Sequence, residues 1–206
     1  MQAITLVDAG TGNLRSVQKA FEWLGVSVMR TDKAEEISRA RTIVLPGVGA
    51  FGDFMQGLKA KALDEAILYA IGQGAYLLGI CVGMQALFDV GYELGVHAGL
   101  GLLKGSVNRF PMQNNLKIPH TGWNEISCIK NSPLFYDINL PAYVYFNHAY
   151  YCQAEDKSDV IASCHYGIDF TCAVQHDRVF GVQFHPEKSQ QDGLRILKNF
   201  AEASDD

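Results

Sequence analysis

The first half of the chain alternates between short apolar runs and longer segments in which apolar residues recur at a helical spacing. Leu14, Val17 and Phe21 fall on one face of a predicted helix, for which Gly25 is a natural end. Strands that are almost entirely apolar and alternate with helices indicate a parallel sheet covered on both faces. Three such runs lie at 3–7, 42–45 and 75–80. This half therefore predicts an α/β fold with a mostly parallel central sheet flanked by helices.

The remaining helices of this half have weaker signals. Asp32 is positioned to cap a brief helix that runs to Ala40. The stretch 52–72 predicts one long helix, and the stretch 84–89 predicts a short helix directly after the third apolar run.

After about residue 100 the pattern changes to strand-like runs with few helical segments. The last two runs flank 176–178, a plausible hairpin connection, and a final helix is expected from about Ser189. No internal repeat or linker is visible, so we expect one domain, 1–206, with an additional antiparallel strand region in its C-terminal half. The runs are Val107–Phe110, Trp123–Ile129, Tyr143–Cys152, Val160–His165, Thr171–Gln175 and Val179–Phe184.

Composition excludes several classes of function. The 206 residues carry a net charge of -5, which gives no basic footprint for nucleic acid. No apolar run approaches the roughly 20 residues that a membrane-spanning helix needs. The start lacks a secretory signal, so we expect a cytoplasmic protein. The five cysteines include no CxxC pair, so we expect neither a disulfide framework nor a metal site.

One cysteine lies in a distinctive setting. The third apolar run leads into Gly79-Ile-Cys81-Val-Gly83, which is the cysteine version of the strand–turn–helix elbow of Gly-x-Ser-x-Gly hydrolases. A sulfur at the start of a helix is favoured as thiolate, and the carboxyl end of a strand is where open α/β sheets bind ligands. The alternative is a small buried cysteine in a tight turn.

A base for this nucleophile is offered by His185-Pro-Glu187. Residues i and i+2 of an extended segment point to one face, so imidazole and carboxylate can both face a thiol. The alternative is a solvent-facing loop. In addition, the glycines of 46–49 follow a buried strand, where backbone N–H groups could join the amide of Val82 in an oxyanion hole. An ordinary glycine-rich turn is the alternative there.

Together these residues closely resemble the class I glutamine amidotransferases, whose fold is flavodoxin-like. More narrowly, the chain is similar to the family of glutaminase subunits that serve imidazole glycerol phosphate synthase in histidine biosynthesis. The resemblance covers essentially the whole chain. The motifs that carry it are DAGTGN at 8–13, PGVGAFGDFM at 46–55, GICVGMQALF at 79–88, PHTGWNEI at 119–126, YVYFNHAYY at 143–151 and GVQFHPEKS at 181–189.

The resemblance implies a role for each matching residue. Cys81 would be the nucleophile, His185 the acid and base, and Glu187 the group that orients His185. The amides of Val48 and Val82 would form the oxyanion hole. Lys188 would lie near the interface with a partner subunit, and the residues that bind glutamine would be Gly49, Gln85, Glu93, Ala149 and Tyr150.

The resemblance also implies a reaction and partners. Glutamine would be hydrolysed to glutamate and ammonia without metal or organic cofactor, and the ammonia would pass to a cyclase subunit of (β/α)₈-barrel type in a heterodimer. Four positions depart from the family pattern: Val82, Thr121, Asn147 and Ala149 stand where leucine, methionine, valine and serine are common. The last two lie near the expected glutamine pocket and the interface, and they leave open a glutaminase that serves another synthase, for example in surface-sugar amidation. A non-catalytic relative and a stand-alone hydrolase of γ-glutamyl or peptide bonds are further alternatives.

Overall fold

The computed structural model describes residues 3–112 and 116–205, whose strands form one sheet. The strands are β1 (Ile4–Val7), β2 (Val28–Thr31), β3 (Thr42–Gly47), β4 (Tyr76–Cys81), β5 (Phe88–Gly91), β6 (His97–Ala98), β7 (Leu103–Arg109), β8 (His120–Cys128), β9 (Ala142–His148), β10 (Tyr150–Ala154), β11 (Val160–His165), β12 (Asp169–His176) and β13 (Val179–Val182). The helices are α1 (Leu14–Trp23), α2 (Ala34–Ser38), α3 (Phe51–Ala60), α4 (Leu63–Gly72), α5 (Val82–Gln85) and α6 (Gln190–Ala203). Short 3₁₀ turns occupy Pro133–Phe135, Lys157–Asp159 and Pro186–Lys188.

The sheet has a parallel part and an antiparallel part. Strands β2, β1, β3, β4 and β13 are neighbours in that order and run parallel. From β13 the order continues through β12, β10, β7, β5 and β6, while β11, β8 and β9 branch from β12. Most pairs in this second part are antiparallel. The predicted fold class, a parallel sheet flanked by helices with an added antiparallel region, is confirmed.

Burial explains why these segments are strands. Every residue of β3 is buried, and so is all of β4 after its first residue, because both faces of the parallel part are covered. The covering helices contribute fully buried rings, among them Phe21, Phe54 and Phe200, to a single apolar core. In β8 and β9, by contrast, buried and more exposed residues alternate, as is typical of strands with one face against the core.

Two helix predictions in the first half were wrong. The stretch 52–72 is not one helix, because it breaks at Ala62, whose φ of 52° lies in the left-handed region. Asp32 does not cap α2, since the N-cap residue is Lys33 and no side chain closes that end. The Asp32 carboxylate instead accepts a 2.7 Å hydrogen bond from Lys61 Nζ, which lies beside the helix break.

Two further corrections bear on the site. The helix expected at 84–89 ends as α5 at Gln85, and β5 begins at Phe88. The single strand expected over Tyr143–Cys152 is two strands, β9 and β10, separated at Ala149. β9 pairs with β8, whereas β10 pairs with β7 and β12, so the break at Ala149 moves the chain between two places in the sheet.

In the described residues, no helix combines the length and the apolar character needed to span a bilayer.

Candidate active site

Cys81 is the last residue of β4 and adopts a backbone conformation that non-glycine residues rarely take. Its φ is 56° and its ψ is -113°. The residue is buried, and α5 begins at the next position. Neighbouring strands flank it, with β3 pairing Gly47 opposite Cys81 and β13 lying on the other side of β4. A strained, buried cysteine between a strand and a helix turn is the geometry of a nucleophile elbow.

The glycine positions around Cys81 have no room for a side chain, because neighbouring backbone atoms occupy that space. A Cβ on Gly83 would overlap the carbonyl oxygen of Leu45 on β3. A Cβ on Gly79 would lie 2.6 Å from the Gly83 oxygen, and one on Gly47 would lie 2.7 Å from the Gly83 nitrogen. The elbow therefore packs directly on the neighbouring strand, with no room for even one methyl group.

Replacing Gly83 by alanine should lower the free energy of unfolding by about 3 kcal/mol or more, because the backbone of the elbow must move away from β3. Urea denaturation measures this. Gly72→Ala is the matched control. Nothing lies within 4 Å of its added Cβ, so it should change stability by no more than about 1 kcal/mol, in the stabilising direction. Equal unfolding free energies for the Gly83 variant and the wild type would show that the elbow tolerates a side chain.

His185 and Glu187 form a buried pair beside Cys81. His185 Nδ1 lies 3.0 Å from Glu187 Oε1, and both side chains are almost fully buried. The second oxygen, Oε2 of Glu187, makes no hydrogen bond to the described residues. The side chain of Cys81 also acts on the His185 imidazole, in the direction that raises the pKa of the imidazole. The thiol, the imidazole and the carboxylate are thus in the order that a thiol nucleophile, its base and an orienting group require.

Electrostatics favour the protonated form of His185. Burial by itself lowers the pKa of His185, but the hydrogen bonds and charges of Cys81 and Glu187 outweigh burial and raise the pKa to about 10. Because the ordinary value is 6.5, protonated His185 stabilises the fold fully below about pH 6.5, and this contribution is lost as the pH rises through about 10.

A cavity of about 200 Å³ opens at Cys81, and the other site residues predicted from the sequence lie around it. Apart from Glu187, which lies behind His185, every predicted site residue lines it. The lining residues are Val48, Gly49, Cys81, Val82, Gln85, Glu93, Pro119, Asn147, His148, Ala149, Tyr150, His185 and Lys188. Two clefts of about 620 and 610 Å³ beside Tyr76 and Arg178 contain none of the predicted site residues.

Two of the lining residues are fixed by the ends of secondary structure. Glu93 Oε2 accepts a 2.7 Å hydrogen bond from the backbone N–H of Phe51, the first residue of α3. Its carboxylate is thereby held at a helix N-terminus, where negative charge is favoured. Gly49, just after β3, has a φ of 91°, a conformation that side-chain-bearing residues rarely adopt.

Sequence reasoning missed Gln183, which is fully buried. Gln183 Nε2 donates to Cys81 Sγ at 3.8 Å, and Gln183 Oε1 accepts from Gln85 Nε2 at 3.1 Å. The same Gln85 Nε2 donates to the Tyr150 carbonyl at 3.1 Å. The signal for Gln183 was available, since it precedes His185 by two residues and therefore shares its face of the extended segment.

Pro119 and His148 are further lining residues that the sequence did not single out. His148 directly precedes the Ala149-Tyr150 pair, but only the pairing of β8 with β9 reveals its surroundings. Within 3–112 and 116–205, no group of three or more His, Cys, Asp or Glu side chains is arranged to hold a metal ion.

Comparison with known proteins agrees with this geometry. The family model described as "Glutamine amidotransferase class-I" matches residues 5–203. The chain belongs to this family. Among class-I amidotransferases, imidazole glycerol phosphate synthase subunit HisH of Salinibacter ruber is 49% identical over 202 residues, which covers 96% of this chain and 93% of that protein. The same subunit of Syntrophotalea carbinolica is 48% identical, with 97% of this chain and 99% of that protein covered. The resemblance found in the motifs is confirmed.

Solved structures of more distant proteins share the fold. PurLQS from Thermotoga maritima matches with a TM-score of 0.76 and 20% identity, covering 98% of each chain. A glutamine amidotransferase from the same organism matches with a TM-score of 0.64 and 16% identity, covering 99% of this chain and 82% of that one. At such low identity these two matches support only a shared fold, not a shared function.

Proposed function

We propose that this chain is the glutaminase subunit of an imidazole glycerol phosphate synthase, releasing ammonia from glutamine for a cyclase partner. The observation that carries the proposal is that Cys81 and His185 line one cavity, while Glu187 Oε1 lies behind the imidazole, 3.0 Å from His185 Nδ1. The HisH relatives, nearly half identical over almost their full length, indicate which amidotransferase it is. Residues 1–206 would act as a single glutaminase domain.

In the first half of the proposed reaction, the Cys81 thiolate attacks the side-chain carbonyl carbon of glutamine. The backbone amides of Val48 and Val82 hold the resulting oxyanion. Protonated His185 gives its proton to the departing nitrogen as the carbon–nitrogen bond breaks, so ammonia leaves and a thioester stays on Cys81. The raised pKa of His185 suits this step, because the imidazole carries its proton at neutral pH.

In the second half, neutral His185 takes a proton from water while the water oxygen attacks the thioester. The carbon–sulfur bond then breaks, which releases glutamate and restores the thiolate. Glu187 stabilises the imidazolium in both halves through its contact with Nδ1, and it holds the other ring nitrogen toward Cys81.

The cavity offers complementary groups to the rest of glutamine. Both N–H groups of the Gln85 amide are engaged by oxygens of the protein, so Gln85 Oε1 is the atom it can offer to an N–H of the substrate. The Glu93 carboxylate can receive the substrate ammonium group. Backbone at Gly49, Ala149 and Tyr150 would complete the pocket.

We place the partner, a cyclase subunit of (β/α)₈-barrel type in a heterodimer, at the mouth of this cavity. The Lys188 ammonium lies 5.5 Å from the centre of the Tyr145 ring, and Lys188 lines the cavity from its exposed side. On the same outer face of β8 and β9, Trp123 is 47% exposed and Tyr143 is 58% exposed. Large exposed aromatic side chains are typical of protein interfaces. The proposed location of the complex is the cytoplasm.

Ammonia itself gives a reason for such a partner. In water at neutral pH it becomes ammonium, which has no lone pair for attack on an acceptor. A partner that covers the cavity mouth would carry ammonia to the acceptor without exposure to water.

A second candidate, a glutaminase that serves a different synthase, is favoured by one observation. Thr121 Oγ1 donates to Asn147 Oδ1 at 3.1 Å, so two of the departures from the family pattern form a polar pair across β8 and β9. Asn147 also lines the cavity. A polar pair where methionine and valine are common would suit a partner with a different complementary surface.

The test is glutamate release from glutamine, measured with and without a candidate cyclase barrel from the same source and its nucleotide ligand. We expect strong stimulation by the barrel, and complete loss of the activity in the complex of the Cys81→Ala variant. Turnover that depends on Cys81 but ignores the barrel would favour the second candidate. Absence of Cys81-dependent glutamate release in every combination would contradict a glutaminase of either kind.

A further inference from the structure

Two buried histidines beside the cavity take no part in the reaction described above. His120 on β8 and His148 on β9 are directly paired across the two strands, and their side chains point to the buried face. They are 3% and 5% exposed, and His120 Nδ1 lies 3.0 Å from His148 Nε2. Buried polar groups of this kind need a hydrogen-bond partner at every ring nitrogen.

One direction of hydrogen bonding satisfies all four ring nitrogens. His148 Nδ1 lies 2.8 Å from the Tyr150 carbonyl oxygen, which can only accept, so Nδ1 carries the hydrogen. His148 Nε2 then accepts from His120 Nδ1. The remaining nitrogen, His120 Nε2, accepts from Asn124 Nδ2 at 3.2 Å, and Asn124 gives its other hydrogen to the His165 carbonyl at 2.9 Å.

Both rings are held in the neutral form that this direction requires. Burial lowers the pKa of His120 to about 4 and that of His148 to about 3. The His120 ring is also stacked between two aromatic rings, with centroid distances of 4.6 Å to Phe146 and 3.9 Å to Tyr166. Orientation and protonation state are therefore both fixed by the surroundings.

The carbonyl at the end of this series belongs to the substrate pocket. The Tyr150 oxygen accepts from Gln85 Nε2 as well as from His148, and Gln85 Nε2 also donates to Gln183 Oε1. Since a carbonyl cannot donate, its position, together with that of Gln183 Oε1, decides which way the Gln85 amide points. Tyr150 is the first residue of β10 and pairs with Arg109 of β7, but β10 pairs with β12 only at Cys152, so the hydrogen bonds described for the Tyr150 carbonyl come from Gln85 and His148.

We propose that His120 and His148 are positioning residues, which hold the Tyr150 carbonyl so that Gln85 turns its Oε1 toward glutamine in the cavity. The inference rests on the proposed glutaminase function and assigns to this pair a part in binding glutamine. Neither histidine touches the reacting atoms in this assignment. Loss of the pair should therefore weaken the binding of glutamine more than it slows the chemical step.

The test compares two replacements of His148 in the complex with the cyclase barrel. Asparagine can place an N–H near the position of Nδ1, whereas phenylalanine fills the space without a donor. We expect His148→Phe to raise KM for glutamine about tenfold and to change kcat by less than about threefold, since one buried hydrogen bond to the pocket is lost. His148→Asn should restore KM to within about threefold of the wild type. Equal KM values for the phenylalanine variant and the wild type would overturn the proposal, and so would a kcat that falls as much as KM rises.

A second pair of variants covers the case in which His148→Phe fails to fold, as judged by thermal unfolding. His120→Asn keeps a donor for His148 Nε2, and His120→Phe removes it, so the KM should rise only in the phenylalanine variant. If these two variants have the same KM, the hydrogen bonds of His120 and His148 do not position the Tyr150 carbonyl, and the proposal is overturned.

A binding measurement separates this inference from the proposed function. Alkylation of Cys81 by iodoacetamide, followed by mass spectrometry, reports the protection that glutamine gives. If the wild-type complex releases no glutamate, yet glutamine protects Cys81 and His148→Phe needs about tenfold more glutamine for the same protection, the positioning role stands and the proposed function fails. Protection that is the same in the wild type and in His148→Phe overturns the positioning role.

Discussion

Replacing Cys81 by serine should lower glutamate release by a factor of at least about 10⁴, because removal of a nucleophile costs up to about 10⁶ in comparable hydrolases. A hydroxyl is much harder to deprotonate than a thiol, so the attacking anion is scarce even beside His185. Serine differs from cysteine by one atom, so the strained turn at φ 56° and its packing on β3 should persist.

The rate is measured in the complex with saturating glutamine, and calorimetry checks that glutamine still binds.

Cys128→Ser is the matched control. Cys128 Sγ donates to the Lys130 carbonyl at 2.9 Å, a contact that a serine hydroxyl can keep, and Cys128 lies far along β8 from the cavity. This control should retain glutamate release within about threefold of the wild type, as expected for a surface change away from the site. More than about 1% of wild-type activity in the Cys81 variant would mean that another group is the nucleophile.

Replacing Glu187 by glutamine should lower kcat by about 10³ to 10⁴, as in other triads whose orienting carboxylate becomes an amide. The amide keeps the size of the side chain but removes the charge that stabilises the His185 imidazolium. It can also present N–H groups to Nδ1, which would favour the wrong tautomer of the imidazole. Glu202→Gln, a neutralisation of an exposed carboxylate on α6, controls for the loss of one charge and should leave kcat unchanged.

The pH profile separates this explanation from simple misfolding. Glu187 is one of the groups that raise the pKa of His185, so its neutralisation must lower that pKa. The proton that His185 gives to ammonia is then lost at a lower pH. We expect the alkaline limb of the residual activity to move down by about one to three pH units. An alkaline limb at the wild-type pH would show that Glu187 does not act on His185.

The fold was predictable where the apolar pattern is strong. The three apolar runs of the first half and the elbow that follows the third one required only local information. The helix break at Ala62 was not predictable, because neither glycine nor proline lies at the turn between α3 and α4. The break at Ala149 lies within an aromatic and β-branched run that fits one long strand equally well.

The predicted site residues follow from motifs whose geometry is local, since His185 and Glu187 are two positions apart and Val82 adjoins Cys81. What the sequence could not give were contacts made across the sheet. Gln183 contacts Gln85, which is 98 positions away in the sequence, and His120 contacts His148, which is 28 positions away. These contacts depend on strand pairing and register, which no single stretch of the chain encodes.

The alternation along β8 and β9 has a consequence for how this hairpin can vary. Its even-numbered side chains, such as those of His120 and His148, face the core, and its odd-numbered ones, such as those of Trp123 and Tyr143, face outward. Inserting one residue between His120 and Trp123 would turn one of them to the opposite side, whereas inserting two would keep both faces but move one of them two positions from its partner on β9. A length change inside these strands therefore costs either the face or the pairing, and natural variation in this hairpin should accumulate in the loop that joins the two strands.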